Sequence, residues 1–159
     1  MELETRNLPL LRDQLGYTII HLSPLLIIFT GATWFDWVLC ASLYFLRIFF
    51  IGSGYHRYFS HNSFKTSRWF QFVLAFMSQT TLQKGVLWWA SHHRIHHRHS
   101  DTPKDPHSPR LYGFWYAHMG WFMSRDYLKT HYELIKDYAK FPELRWLNEY
   151  HAVPAAILA

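Results

Sequence analysis

The chain has 159 residues, a formal charge of +5 and a single cysteine, and half of it is hydrophobic, with 19% Phe, Trp and Tyr. That length makes one domain, and the lone Cys40 excludes an internal disulfide and a cysteine-based zinc site. The basic residues are scattered among histidines and aromatics with no nucleic-acid motif, which argues against nucleic acid and for anionic lipid head groups or a phosphorylated carrier.

Residues 1–16 read as a short polar segment punctuated by Pro9 and Gly16. Met1 to Arg6 carries acids where a cleaved leader needs a basic stretch, so no processing is expected. From Tyr17 to about Trp34 the chain is mostly apolar, near the lower length limit of a membrane span, with His21, Ser23 and Pro24 weakening it. A longer apolar run follows from Phe35 to about Tyr55, interrupted by Asp36 and by Arg47, which reads as a side chain snorkelling to the head groups, with a functional intramembrane charge as the alternative. The link Gly31 to Asp36 has no Lys or Arg, whereas thirteen of the sixteen basic residues follow Gly54. By the positive-inside rule, residues 17–55 form a membrane hairpin with both ends cytoplasmic.

The segment Trp69 to Ser78 is apolar but too short to cross a bilayer, and is expected to lie on or dip into it. A proline-punctuated loop spans Thr102 to Pro109, and an aromatic belt containing His118 runs from Leu111 to Met123. Residues 124–150 alternate charged and aromatic positions as a surface or interfacial helix would, with Pro142 interrupting. The final apolar run from Val153 to Ala159 is shorter than a span, so the sequence reads as cut at its C-terminus. The expected fold is all-α: an integral membrane helical hairpin bearing a cytoplasmic, helical, histidine-rich cap over about residues 56–150, in a single domain over residues 1–159.

The chemistry is concentrated between Trp88 and His99, where five of twelve residues are histidines. At about 100° per residue, His93, His96 and His97 project from one side of a helix as metal ligands. His92 and His99 fall off that stripe and read as supporting or surface groups. Upstream, His56 and His61 are five residues apart, about 140° around an ideal helix, so both reach one site only where the helix ends or distorts. Gly52 and Gly54 just before them make a distortion plausible. His131 and His151 are isolated and read as surface histidines. Imidazole ligands suit zinc, copper, iron or nickel. Neither stretch has the glutamate of a His-Glu-x-x-His hydrolase, and the Glu-x-x-His pairs of soluble di-iron bundles are absent. A non-haem iron centre that activates dioxygen beside a lipid chain fits the placement, with copper, zinc and haem roles left open.

His-x4-His at 56–61, followed by His-x-x-His-His at 93–97, resembles the first two histidine boxes of the membrane fatty-acid desaturases. The flanks Gly54-Tyr55, Tyr58 to Ser60, Trp89-Ala90, Asp105-Pro106-His107 and His118-Met119-Gly120-Trp121 are similar to the Δ9, stearoyl-CoA-type subgroup, particularly its bacterial members. The resemblance implies an incomplete fatty-acid desaturase fold holding two non-haem irons, with His56, His61, His93, His96 and His97 as ligands and no catalytic side chain beyond them. It implies that the enzyme inserts a double bond into a saturated acyl chain with O2 and electrons from a cytochrome b5 or ferredoxin-type carrier. It also implies that Trp89 lines the acyl tunnel and that Arg125 touches the acyl carrier. Asp126 stands where that subgroup has a second basic residue, so acyl-CoA and acyl-lipid substrates both remain open. The family's third box and second hairpin would follow Ala159, so this segment alone is expected to be inactive. A membrane di-iron lipid hydroxylase and a non-catalytic membrane metal-binding protein are the alternatives.

Overall fold

The computed structural model describes residues 11–158, with side chains from Leu15 onward. Every regular element among them is helical. In order these are α1 (Leu11–Leu22), a 3-10 turn (Ser23–Leu26), α2 (Ile27–Thr30), α3 (Trp34–Phe50), a π-helical segment (Ile51–Ser60), α4 (Arg68–Gln79) and α5 (Val86–His99). Then come α6 (Pro109–Tyr112), a π turn (Tyr116–Gly120), α7 (Trp121–Met123), 3-10 turns at Arg125–Tyr127 and Tyr132–Leu134, α8 (Lys136–Ala139), α9 (Pro142–Glu149) and α10 (Val153–Leu158). The chain packs as two compact units, one of residues up to Val38 with His99–Lys129, the other of Leu39–Arg98 with Thr130–Ala159.

In the first unit, the apolar run after Gly16 winds as a helix from Leu15 to Thr30, tightened to 3-10 form where Ser23 and Pro24 stand. Its 16 residues fall short of the roughly 20 needed to span a bilayer upright. Gly31 ends it at φ +68°, a conformation open to glycine, and Thr33 then starts α3. The Thr33 main-chain N–H donates to Asp36 Oδ2 at 2.8 Å and the Asp36 N–H donates back to Thr33 Oγ1 at 3.4 Å, the reciprocal arrangement of a capping box. The proline-rich loop is organised by buried Asp105, which accepts the main-chain N–H groups of Asp101 and His107. Tyr17 donates its hydroxyl to Met119 Sδ at 2.9 Å, tying α1 to the aromatic belt.

From Trp34 to Ser60 the chain is helical over 27 residues, long and apolar enough to cross a membrane. No side chain of α3 is buried within the protein, and Trp34, Phe45, Phe49 and Tyr44 are each at least 60% exposed, as lipid-facing residues are.

The second unit has a conventional core of Tyr55, Phe59, Leu74, Leu87, Ile135, Leu144 and Leu147. Residues 130–150, the part of the 124–150 segment that lies in this unit, depart from the surface helix expected of them. Ile135, Tyr138, Leu144, Leu147 and Asn148 are buried, and the segment is broken into short helices. Pro142 does not interrupt a helix but opens α9 in the first turn, where its missing N–H costs no hydrogen bond. Likewise α4 turns a buried stripe of Gln71, Leu74, Ala75, Ser78 and Gln79 inward, leaving Trp69 and Phe70 outside. Its N-terminus is capped by Ser67, whose hydroxyl accepts Phe70 N–H.

The helix that carries the second histidine box is anchored at its start by two buried amides. Gln79 Oε1 accepts Val86 N–H at 2.9 Å, and Asn148 Oδ1 accepts Trp88 N–H at 2.7 Å, so two otherwise unpaired donors of α5 are satisfied. Gly85 permits this, because a Cβ there would sit 2.2 Å from Asn148 Oδ1.

Candidate metal centre

The first box lies on the π-helical segment. In a π-helix the hydrogen bond runs from residue i+5 to i, so side chains five apart come round to the same side. His61 N–H accordingly donates to His56 O at 3.2 Å, and the two rings stand 4.5 Å apart. The spacing of His56 and His61 is met both by a change of winding and by a helix end, since the π-helical segment closes at Ser60 and His61 caps it. Gly54 lets α4 approach that winding closely: Ser78 occupies the space of its missing Cβ and donates to Phe50 O at 3.0 Å.

His56, His61, His93 and His97 each offer a ring nitrogen, and all four nitrogens lie within 4.8 Å of one another. His93 Nε2 is 3.1 Å from His61 Nε2 and 3.0 Å from His97 Nε2. With metal–nitrogen bonds of about 2.1 Å, nitrogens around one ion stand about 3 to 4 Å apart, the range in which the two contacts of His93 fall. His96 stands beside this group, its ring 6.1 Å from that of His93 and 5.5 Å from that of His97. The helix explains the split: from His93, position 97 is turned by about +40° and position 96 by about −60°, and the first box approaches on the side of 97.

Burial and four neighbouring histidines, His97 foremost among them, push His93 down to about 3. His61 is also lowered, by desolvation and by His56, His97 and Arg94. Both rings are therefore neutral at physiological pH, the form that binds a metal. Every donor in the group is an imidazole nitrogen, a set suited to iron, copper or zinc.

Around the cluster, Trp89 stacks on His93 at 4.6 Å and on Tyr55 at 5.2 Å, and meets His56 edge-on at 6.5 Å. It forms an aromatic wall of the site, whereas Trp88 is buried against His92. His92 is itself buried, off the cluster, with its ring 5.4 Å from that of His131. His131 is only half-exposed and donates its Nδ1–H to Glu133 Oε1 at 3.0 Å, so it is not a plain surface histidine. Arg125 is exposed on the 3-10 turn of the other unit, beside Asp126. The residues that sequence reasoning missed are Asn62, Arg94, Asp137 and Tyr138, which join the two boxes in one polar network.

The model of the fatty acid desaturase family matches residues 32–159. The chain belongs to that family. The two histidine motifs of this desaturase-family chain lie within the matched region, and so do α3 and the whole polar network around them. Similar proteins include the Delta-9 desaturase-like 5 protein of Arabidopsis thaliana, 41% identical over 87 residues, covering 55% of this chain and 29% of that protein. The sn-1 stearoyl-lipid 9-desaturase of Anabaena variabilis is 37% identical over 100 residues, covering 61% and 36%. The acyl-CoA C20 Delta5-desaturase of Anemone leveillei is 33% identical over 133 residues, covering 79% and 42%. The desaturase-family chain thus spans between 29% and 42% of the length of these relatives.

Proposed function

We propose that this chain carries the first two histidine boxes of a Δ9-type fatty-acid desaturase, which inserts a double bond into a saturated acyl chain. The observation that carries this is the convergence of four imidazoles from two distant stretches, 56–61 and 93–97, next to a helix of membrane-spanning length. His56, His61, His93 and His97 would hold iron, with His96 on the adjoining side available to a second ion. Bound iron supplies the dioxygen chemistry, with O2 and electrons from a cytochrome b5 or ferredoxin-type carrier. The protein's own part is to keep the ligand rings neutral, to fix their angles and to wall the site. Trp89 packs flat on His93 and, in this reading, excludes water from the side where an apolar chain lies. The relatives named for acyl-lipid and acyl-CoA substrates keep both carriers in view, with Arg125 as the candidate contact to a phosphorylated carrier. The charge asymmetry about the Gly31 turn supports cytoplasmic histidine boxes and termini.

Fatty-acid analysis of a desaturase-deficient host expressing the full-length gene tests this reading. The expected result is a new monounsaturated acyl chain that disappears with His93→Ala. A hydroxylated product, or no product from a protein that accumulates in the membrane, would overturn it. The segment of residues 1–159 expressed alone is expected to give none, because the four to five imidazoles it offers do not complete the shells of two ions.

A further inference from the structure

Arg94 sits inside the second box, one residue after His93, and every N–H of its guanidinium has an acceptor. Nε donates to Ser60 O at 3.1 Å, Nη1 to Leu134 O at 2.8 Å and to Asp137 Oδ1 at 3.0 Å. Nη2 donates to Phe59 O at 2.9 Å and to Asp137 Oδ2 at 2.8 Å. Five bonds exhaust the donors of an arginine. Two of them fall on the carbonyls immediately before His61. The last main-chain bonds of the π-helical segment go from the N–H groups of His61, Asn62 and Ser63 to His56, Tyr58 and Arg57. The carbonyls of Phe59 and Ser60 therefore project from its C-terminal end, where a cation is favoured both as donor and by the helix dipole.

The far side of the guanidinium is fixed as well. Asp137 meets it with both oxygens and also accepts from Asn62 Nδ2 at 2.9 Å. Burial raises the Asp137 carboxyl, but the hydrogen bonds from Arg94 and Asn62 outweigh it and hold the group below the usual range. Asn62 follows His61 directly, at φ +52°, a conformation that Asn tolerates better than most residues. Its side-chain oxygen accepts the Tyr138 hydroxyl at 2.5 Å. The residue after His61, the two before it and the residue after His93 thus belong to one network.

We propose that Arg94, anchored by Asp137, is a positioning residue of the metal centre: it fixes the end of the first box against the second and so sets His61 relative to His93 and His97. It touches no ligand nitrogen, and acts through the main chain that carries His61. A lysine could not replace it, having three donors at one point where the site asks for a planar fork to three carbonyls and a carboxylate. The inference rests on the metal reading of the cluster, and the test separates the two.

The test is a cobalt(II) titration of the detergent-solubilised full-length protein, followed by the visible ligand-field bands, with the fold monitored by circular dichroism and Tm. Arg68→Lys is the control, because Arg68 forms a similar fork to Glu143 at 2.7 and 2.8 Å in the same unit, away from the histidines. Wild type and Arg68→Lys should bind with the same bands. Arg94→Lys should bind roughly tenfold or more weakly, with shifted bands, and the double variant Arg94→Lys/His61→Ala should bind no more weakly than His61→Ala alone. Should Arg94→Lys not fold, Asp137→Asn, which leaves the three main-chain bonds of the guanidinium available, is judged by the same criteria. Unchanged bands and affinity in a folded Arg94 or Asp137 variant, or equal losses in Arg94→Lys and Arg68→Lys, would overturn the positioning role. No cobalt binding by wild type would instead overturn the metal reading and this inference with it.

Discussion

Two glycines of the same π-helical segment should respond to alanine with opposite signs. A Cβ at Gly54 would lie 2.0 Å from Ser78 Oγ, 3.4 Å from Ser78 Cβ and 3.2 Å from the Leu74 carbonyl, whereas one at Gly52 would meet nothing within 4 Å. Rotating the Ser78 hydroxyl away relieves the first contact but gives up its bond to Phe50 O, and the main-chain carbonyl of Leu74 has little freedom to yield. Overpacking of this kind costs about 1–3 kcal/mol, and the gain in helix preference from Gly to Ala returns at most about 1 kcal/mol. Gly54→Ala should therefore destabilise by up to about 2 kcal/mol, while Gly52→Ala should stabilise by about 0.5–1 kcal/mol. At roughly 2–4 °C per kcal/mol for a chain of this size, thermal melts in detergent resolve the difference, and Ser78→Gly should restore most of what Gly54→Ala loses. The same shift should loosen metal binding, because it moves the winding that carries His56 and His61. Equal melting temperatures for the two alanine variants would refute the claim that close approach of α4 holds the π-helical winding in place.

Further outcomes follow from the site. His93 stays neutral in the fold down to about pH 3, whereas in the unfolded chain it takes up a proton near 6.5. The unfolded state then binds the extra proton between those values, so stability falls as the pH drops from about 6.5 toward about 3. His93→Gln should flatten that part of a pH–Tm curve. In the cobalt titration, His97→Ala should remove tight binding, whereas His96→Ala should weaken the first ion less, because its ring stands outside the group of four. Arg68→Ala should cost less than about 1 kcal/mol in urea unfolding, since the Arg68 side chain is 63% exposed and such pairs are worth little.

Much of this architecture is legible in the sequence because the signals are local. Helix lengths follow the apolar runs, and the Gly31 turn falls within the link that lacks Lys and Arg. The first box announces its distorted winding through its spacing, since two histidines five apart share a side only when the helix is not α. The second box is only partly legible: the helical stripe assigns His93, His96 and His97 together, whereas the four grouped nitrogens include those of His93 and His97, because the grouping depends on where the first box approaches. Residues 124–150 misled for a related reason. Alternating charge and aromatic character describes a half-exposed surface, but it does not reveal that Ile135, Leu144 and Leu147 meet Tyr55 and Phe59 from far along the chain. Arg94 was illegible for the same cause. Nothing local distinguishes it among sixteen basic residues, and its five acceptors lie 34 to 43 positions away.

The central claim is that His56, His61, His93 and His97 hold iron through their ring nitrogens, and the most direct measurement is X-ray absorption at the iron edge of the purified full-length protein. The predicted result is nitrogen scatterers at about 2.0–2.2 Å, by analogy with other metal–imidazole bonds, with the outer-shell pattern of imidazole and with iron lost in His93→Ala. Cys40 is exposed on α3, in the apolar helix and away from the histidine boxes, so no sulfur scatterer is expected. Iron retained in full by His93→Ala, or a spectrum without imidazole, would contradict the account.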